Sequence, residues 1–184
     1  PVHFAGQSCD MARISAIAKA NNLVVIEDAA HAIGSDYLDS KVGSCRYSDM
    51  TVFSFHPVKT ITTGEGGAVT TNDPALYAKL CALRAHGVHK DGEMARTWEY
   101  EMRELGFNYR ITDIQCALGV SQLRKLDAFK ARRRAIVAYY NEYLGLSHLV
   151  ERDFSNACFH LYPVFVANRR EFYFKAKEAG LNLQ

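Results

Sequence analysis

The spacing of apolar residues along the first half of the chain alternates between helical and strand-like. After Asp10, which can cap a helix, apolar positions recur at helical intervals and predict a helix over residues 10–20. The continuous apolar run 23–26 is typical of a buried parallel strand. Residues 49–55 and 66–71 predict two more strands, and Pro74 then opens a helix to about residue 85. Strands that alternate with helices indicate an α/β layered domain.

The second half of the chain is predicted to be irregular at first and helical later. Residues 86–105 are polar and without a period, which is typical of a long surface excursion. A long helix is predicted over 112–143 with a break near Gly119, then a strand over 160–166 and a helix over 169–179. We expect two units. Residues 1–146 form part of a large domain with a long linking helix, and residues 147–184 form the start of a smaller C-terminal domain.

Composition and charge exclude several classes of protein. The chain has 184 residues, of which 48% are hydrophobic, and a net charge of +2. It is too apolar to be disordered. It contains no run of about eighteen apolar residues, so no membrane span is predicted. The balanced charge gives no overall attraction to nucleic acid or to anionic membranes, so neither partner is expected. The basic run at 130–134 is interpreted as the solvated face of a helix.

The cysteines and the chain ends add two further expectations. The cysteine count is odd and no pair has CxxC spacing, so we predict no metal site and no disulfide framework. Buried thiols in a reducing compartment favour a cytoplasmic location. The chain begins with Pro1 and stops within a pattern at Gln184, so we expect it to be part of a longer protein.

Residues with chemical potential follow two of the predicted strands. Asp28 comes just after the strand 23–26, where open α/β sheets bind ligands, although an acid there also often caps the next turn. His31 suits either a ligand contact or an ordinary hydrogen-bonded position. Lys59 follows the next strand, among aromatic and β-branched neighbours, and a desolvated lysine is a nucleophilic amine. The Gly-rich turn 63–67 lets the backbone approach a planar ligand.

An acid at one strand end and a lysine beyond another suggest pyridoxal phosphate as the cofactor. This cofactor needs a lysine that forms a Schiff base with it and a carboxylate at its pyridine nitrogen. Asp28 would keep that nitrogen protonated, so that the ring accepts electrons. Ser54 would supply a hydroxyl group to the phosphate.

Five stretches of the chain, in order, resemble the DegT/DnrJ/EryC1/StrS family of pyridoxal-phosphate sugar aminotransferases. The resemblance covers nearly the whole chain, and it implies the α/β fold of PLP-dependent transferases, the aspartate aminotransferase (type I) fold. The stretches are residues 1–6 (PVHFAG), 26–34 (IEDAAHAIG), 53–59 (FSFHPVK), 65–72 (EGGAVTTN) and 106–115 (GFNYRITDIQ).

The resemblance implies a role for each candidate residue. Lys59 matches the catalytic Schiff-base lysine, and Asp28 matches the acid at the pyridine nitrogen. His31 stands where many members have Gln, in contact with the phenolic oxygen of the ring, and Ser54 matches the serine on the phosphate. Asn108 matches an asparagine that reaches the phosphate of the neighbouring subunit, which implies a homodimer with shared active sites.

The sequence at 42–59 is similar to the pseudaminic-acid branch of the family. That branch transfers an amino group from glutamate to C4 of a UDP-linked 4-keto-6-deoxy amino sugar, and the resemblance implies this activity. Three alternatives stay open: another nucleotide keto-sugar such as a 3-keto or GDP-linked one, a cofactor-binding module without turnover, and a fragment that is inactive on its own. Dehydratases of the family carry His in place of the lysine, so Lys59 argues against that chemistry.

Overall fold

The structure is a computed structural model that describes residues 1–90 and 92–184, so Asp91 of the predicted excursion lies outside the described residues. Within them the helices are α1 (Met11–Ala20), α2 (Pro74–Leu83), α3 (Asp113–Leu123), α4 (Leu126–Tyr143) and α5 (Arg169–Glu178). The strands are short: β1 (Ile26–Asp28), β2 (Asp36–Tyr37), β3 (Ser40–Lys41), β4 (Met50–Ser54), β5 (Gly67–Thr70), β6 (Val88–His89), β7 (Glu101–Met102), β8 (Ser147–His148), β9 (Ser155–Asn156) and β10 (Val164–Phe165).

Capping side chains fix where most of the helices begin. Asp10 caps α1 and Asp73 caps α2, each by accepting hydrogen bonds from backbone amides of the first turn. Thr112 and Gln115 form a reciprocal capping box at the start of α3, and Asn168 caps α5. The helices predicted over 10–20, 74–85 and 169–179 are confirmed to within two residues at each end.

The helix predicted over 112–143 is broken, but not at Gly119. The break between α3 and α4 lies at residues 124–125. Gly119 is buried within α3, and a Cβ atom there would lie 3.0 Å from Cγ2 of Thr63. The glycine therefore serves a close approach between α3 and the turn that carries Lys59 rather than a helix end.

A three-stranded sheet with the order β1-β4-β5 forms the centre of the molecule. β1 runs parallel to β4 with Asp28 opposite Val52. β5 runs antiparallel to β4 with Gly67 opposite Ser54. This register fixes which side chains share a face of the sheet, since side chains alternate along a strand and opposite residues point the same way.

The strand predicted over 23–26 is placed too early in the sequence. β1 begins only at Ile26, and Leu23 and Val24 are exposed. The Val25 amide donates to the Asp49 side chain at 2.7 Å rather than to a strand carbonyl. The pairing with β4 therefore starts at Ile26, and the strand extends to Asp28.

The two faces of the sheet differ in burial. Glu27, Thr51 and Phe53 point to the buried face, whereas Asp28 and Val52 point to the open face. An apolar cluster packs at the buried face around Phe53, with Ala29, Ala32 and Val42. A second cluster joins α1 to the rest of the fold through Met11, Ala18, Val25 and Tyr37. The open face therefore presents the strand ends on which the candidate residues lie.

A buried polar network ties the N-terminal segment to the sheet. The Glu27 carboxylate accepts hydrogen bonds from His3 Nε2 at 2.6 Å, from Thr51 at 3.0 Å and from Ser48. His3 Nδ1 lies 3.1 Å from the Cys9 amide nitrogen. Burial lowers the pKa of His3, but the contacts with Cys9 and Glu27 outweigh it and raise the pKa to about 9. Burial raises the pKa of Glu27, but the hydrogen bonds, that of His3 first, outweigh it and lower the pKa below its ordinary value.

Glu27→Gln should lower the free energy of unfolding at neutral pH by about 3 kcal/mol, because it removes the charged partner of a buried network. The folded-state pKa of Glu27 lies below its unfolded value of 4.5, so its contribution is present above pH 4.5 and is lost as the pH falls through the folded value. Urea unfolding of E27Q and of the parent protein at a series of acidic pH values measures this loss of stability. Asp153→Asn is the control, because that carboxylate is exposed. Equal acid losses in E27Q and the parent protein would contradict the prediction.

The predicted surface excursion at 86–105 contains a small hairpin. β6 and β7 pair antiparallel, with His89 opposite Glu101. His89 Nε2 also lies 3.3 Å from Glu104. Gly87 has φ +70°, and a Cβ atom there would meet the Glu104 carbonyl oxygen at 1.7 Å, so only glycine fits at the base of this hairpin.

The strand predicted over 160–166 is mostly absent. Only Val164–Phe165 forms a strand, β10, which pairs with β8. Pro163 has no amide hydrogen for a ladder, and the chain before it is held by side-chain contacts instead. β9 pairs with β2, so residues after 147 also join the N-terminal part of the fold. The boundary at 146/147 stays a prediction.

The basic run of α4 was expected to be solvated, and three of its side chains instead make hydrogen bonds within the chain. Lys130 donates to Asp36 at 2.8 Å, Arg133 donates to two backbone carbonyls, and Arg134 donates to Glu151 at 2.9 Å. These contacts join α4 to β2 and to the segment 151–160, which leaves fewer of the charges for a polyanion.

The thiols and the helices give two further findings. Among the cysteines, which are all free, Cys45 and Cys158 are buried as predicted. Cys9 and Cys81 are only half-buried and Cys116 is exposed on α3, so the prediction is wrong for these three. No helix in the described part of the chain combines the length and the apolar character that crossing a bilayer requires.

Candidate active site

Asp28 and Ser54 lie at neighbouring strand ends on the same face of the sheet. Asp28 stands opposite Val52, and Ser54 is two residues further along β4, so all three side chains point to the open face. Gly67 stands opposite Ser54 and contributes no side chain there. A Cβ atom on Gly67 would lie 2.7 Å from the Phe53 carbonyl oxygen, so this position requires glycine.

Lys59 lies in the middle of a closed turn that leaves the end of β4. The Thr63 amide donates to the Phe55 carbonyl at 3.0 Å, and the Phe55 amide donates to Gly66 at 2.8 Å. The Lys59 amide donates to His56 at 3.0 Å, which fixes the backbone of the lysine. The Lys59 side chain is half-buried, and its ammonium group makes no hydrogen bond or ion pair with any described residue.

His31 faces both the lysine and the carboxylate. Burial lowers the pKa of His31, the positive charge of Lys59 lowers it further, and Asp28 acts in the opposite direction. His31 Nδ1 accepts from the Ala5 amide at 3.4 Å, so the ring hydrogen of the neutral form lies on Nε2. His31 therefore offers an N–H donor beside Lys59.

Two residues that the sequence analysis did not select lie next to His31. The His160 ring packs against the His31 ring, with 4.6 Å between centroids. Cys158 is fully buried, and its thiol donates to the His31 carbonyl at 3.2 Å. Gly6 makes room for both, since a Cβ atom there would lie 2.8 Å from Cys158 Sγ and 3.0 Å from the His160 amide. His160 was assigned to a predicted strand, and nothing in the sequence separated it from a strand residue.

Comparison with known proteins identifies the family to which the chain belongs. The model of the DegT/DnrJ/EryC1/StrS aminotransferase family matches residues 1–184. The chain belongs to this family. The family predicted from the five sequence stretches is thereby confirmed.

Individual relatives agree with the family match. A UDP-4-amino-4,6-dideoxy-N-acetyl-beta-L-altrosamine transaminase of Campylobacter jejuni is 41% identical over 192 residues, covering 100% of this chain and 50% of the relative. A GDP-perosamine synthase of Caulobacter vibrioides is 46% identical over 145 residues, covering 79% of this chain and 37% of the relative. The chain spans about half the length of the first of these relatives, and less of the second.

Solved structures confirm the fold class. The PLP form of a putative sugar aminotransferase from Streptococcus pneumoniae matches with a TM-score of 0.85 and 30% identity, over 98% of this chain and 52% of that one. Its PMP form matches with a TM-score of 0.87 and 30% identity, over 98% of this chain and 53% of that one. The α/β fold of PLP-dependent transferases is therefore correct, and the cofactor predicted from Lys59 and Asp28 is the one named for that relative.

The residues of this family member fit pyridoxal phosphate on their own chemistry. Lys59 is an unpaired, half-buried amine. Ser54 Oγ accepts from the His56 amide at 3.4 Å, and its own hydrogen has no acceptor among the described residues. Asp28 Oδ1 accepts from the Ala30 amide at 3.0 Å, which leaves Oδ2 available. An amine in the turn after β4, with a hydroxyl donor and a carboxylate at neighbouring strand ends, matches the aldehyde, phosphate and ring nitrogen of the cofactor.

The structure brings four of the five predicted site residues together and leaves one apart. Asn108 is exposed, and its side-chain oxygen accepts from Arg110 Nε at 3.0 Å. No hydrogen bond or ring contact in the described part of the chain joins Asn108 to the other four. Its neighbours Phe107 and Tyr109 are exposed, and their rings stack with 4.8 Å between centroids. No group of three or more potential metal ligands occurs among the described residues.

Proposed function

We propose that this chain is the cofactor-binding part of a PLP-dependent aminotransferase that moves an amino group from glutamate to C4 of a UDP-linked 4-keto-6-deoxy amino sugar. The observation that carries the proposal is the unpaired Lys59 amine beside the open strand ends that hold Asp28 and Ser54. The match of the chain to the DegT/DnrJ/EryC1/StrS aminotransferase family supports the proposal.

Each residue has a defined task in this reaction. When bound, pyridoxal phosphate supplies an electron-accepting ring next to the carbon that carries the amino group. Lys59 would hold the cofactor through its amine, and the same amine would serve as the base for the Cα proton of glutamate. Asp28 would keep a proton on the ring nitrogen and so stabilise the negative charge that develops. Ser54 would donate to the phosphate, and His31 would donate from Nε2 to the phenolic oxygen.

The choice of a UDP-linked 4-keto sugar is supported by the Campylobacter jejuni relative, which matches the whole chain at 41% identity. The GDP-perosamine synthase, at 46% identity over a shorter span, favours a GDP-linked sugar instead. An enzyme of this family acting on another nucleotide keto-sugar is therefore the alternative function. A third outcome is that the 184 residues bind cofactor without turnover on their own.

We further propose a homodimer with shared active sites. Asn108 lies apart from Lys59 but on an exposed aromatic surface, which suits a residue that reaches the phosphate of the other subunit. The free thiols support a reducing compartment, for which we propose the cytoplasm. The unit boundary at 146/147 belongs to the same proposal.

A substrate panel with the complete protein tests the function. The protein receives pyridoxal phosphate and glutamate together with UDP-linked 4-keto, UDP-linked 3-keto or GDP-linked 4-keto sugars, and mass spectrometry follows the amino sugar. The proposal predicts 2-oxoglutarate and amino sugar in equal amounts, fastest with the UDP-linked 4-keto substrate. Preference for a GDP-linked or 3-keto sugar would contradict the proposed substrate but not the proposed reaction. The absence of amino transfer to any of the sugars would refute both the substrate and the reaction.

Ser54→Ala should weaken the binding of pyridoxal phosphate by about ten- to a hundredfold. It removes one hydrogen bond to a charged phosphate, and such bonds contribute about 1.5–3 kcal/mol. Cofactor titration followed by absorbance measures the dissociation constant. Ser121→Ala, on the exposed side of α3, is the matched control and should bind as the parent protein does. Unchanged affinity in S54A would remove Ser54 from the phosphate site.

A further inference from the structure

The segment before β10 holds His160 in a fixed direction. Arg133 Nη1 donates to the carbonyls of Phe159 and His160, both at 3.2 Å. Phe159 has φ +49°, a left-handed conformation that is costly for an aromatic residue. Such conformations persist where the surroundings over-determine them, and they concentrate at functional sites. Two hydrogen bonds from α4 thus hold a strained residue directly before the imidazole.

The two nitrogens of the His160 ring have different surroundings. Nδ1 is buried and has no hydrogen-bond partner in the described part of the chain, whereas Nε2 is accessible. Burial lowers the pKa of His160 to about 4, and the charges of His31 and Lys59 act in the same direction, so the ring is neutral at neutral pH. A buried N–H without an acceptor costs more than a buried lone pair, which puts the hydrogen on Nε2.

The position of His160 places this donor on the lysine side of the site. Lys59 acts electrostatically on both His31 and His160, while Asp28 raises the pKa of His31. The Asp28 carboxylate would hold the ring nitrogen of the cofactor, and Lys59 would hold its aldehyde carbon. His160 therefore lies against His31, with 4.6 Å between the ring centroids, and next to the residues that would hold the cofactor.

We infer that His160 is a substrate-binding residue whose Nε2–H donates a hydrogen bond to an uncharged oxygen of the acceptor sugar, a keto or hydroxyl group. The inference rests on the proposed function. A neutral donor suits such an oxygen, because it adds no charge beside the amine that Lys59 must keep reactive. His31 then serves the cofactor, and the adjacent ring of His160 serves the sugar.

The test separates the two halves of the reaction in the complete protein. The glutamate half is followed by the change in cofactor absorbance, and the sugar half by single-turnover formation of amino sugar. His160→Phe keeps a ring against His31 and removes the donor, whereas His160→Gln places an amide N–H near the position of Nε2. His148→Phe is the control, since its ring stacks on Tyr162.

The inference predicts that His160→Phe lowers the rate of the sugar half relative to the glutamate half by about tenfold or more, through a weaker sugar KM, and that His160→Gln recovers most of it. Nitrogen-15 NMR of histidine-labelled protein should show His160 protonated on Nε2. Equal loss in both halves, no loss in either, or protonation on Nδ1 would overturn the inference. A parent protein with neither half-reaction would overturn the proposed function and the inference with it.

Discussion

Lys59→Ala is expected to abolish amino transfer and the absorbance band of the lysine-bound cofactor together. Lys59 is the half-buried amine of the 55–63 turn and has no partner among the described residues, so its removal leaves no nucleophile for the cofactor aldehyde. The same amine moves the proton from glutamate, and the loss of both tasks reduces kcat by at least about 10⁴-fold. Absorbance with added pyridoxal phosphate and steady-state turnover measure the two effects on one sample.

Two further variants separate chemistry from charge. Lys59→Arg keeps a cation near His31 but forms no Schiff base at neutral pH, so it should be as inactive as the alanine variant. Lys79→Ala removes an exposed lysine of α2 and should leave the band and the turnover as they are. A K59A protein that still transfers amino groups would remove Lys59 from the reaction.

Asp28→Asn should leave the cofactor bound but lower kcat by about 10²–10³-fold. The amide retains an oxygen for the Ala30 amide hydrogen, which donates to Oδ1 at 3.0 Å, so the strand end should keep its shape. It cannot hold a proton on the ring nitrogen, and this removes the electrostatic stabilisation of the developing carbanion. Rates of the glutamate half-reaction, measured by stopped-flow absorbance, give the size of the loss.

Asp39→Asn is the matched control for this change. Asp39 is an exposed carboxylate that accepts from Arg46 at 2.6 Å, and it lies outside the site. It should leave the rates unaltered. Loss of cofactor binding in D28N, or rates equal to those of the parent protein, would assign Asp28 to a structural role at the end of β1.

The helices and the fold class could be predicted because their signals are local. The capping residues Asp10, Asp73 and Thr112 stand in the sequence directly before apolar or helix-favouring runs, and the structure uses each of them. The start of β1 could not be predicted in the same way, because the Asp49 side chain, distant in sequence, takes the Val25 amide. Gly119 was misplaced as a helix break because its reason, contact with Thr63, is also non-local.

The residues of the candidate site also divide into those with a local signal in the sequence and those without one. Asp28, Ser54 and Lys59 could be found by sequence analysis because they lie at or just beyond predicted strand ends, before a Gly-rich turn. His160 was not, because Arg133 and a strained Phe159 bring it to His31 from 129 residues away in sequence. Asn108 was assigned by resemblance alone, and its exposed position keeps its role a proposal. The basic run 130–134 was misjudged because its partners, among them Asp36 of β2 and Glu151, are distant from it in sequence.

Trapping the cofactor on the protein tests the central claim most directly. The complete protein is incubated with pyridoxal phosphate, reduced with borohydride to make the lysine link permanent, digested and mapped by mass spectrometry. The account predicts a single modified peptide that carries the cofactor on Lys59, and predicts that prior addition of glutamate removes the label. A label on another lysine, or no label on Lys59 in a folded protein, would contradict the assignment of this site.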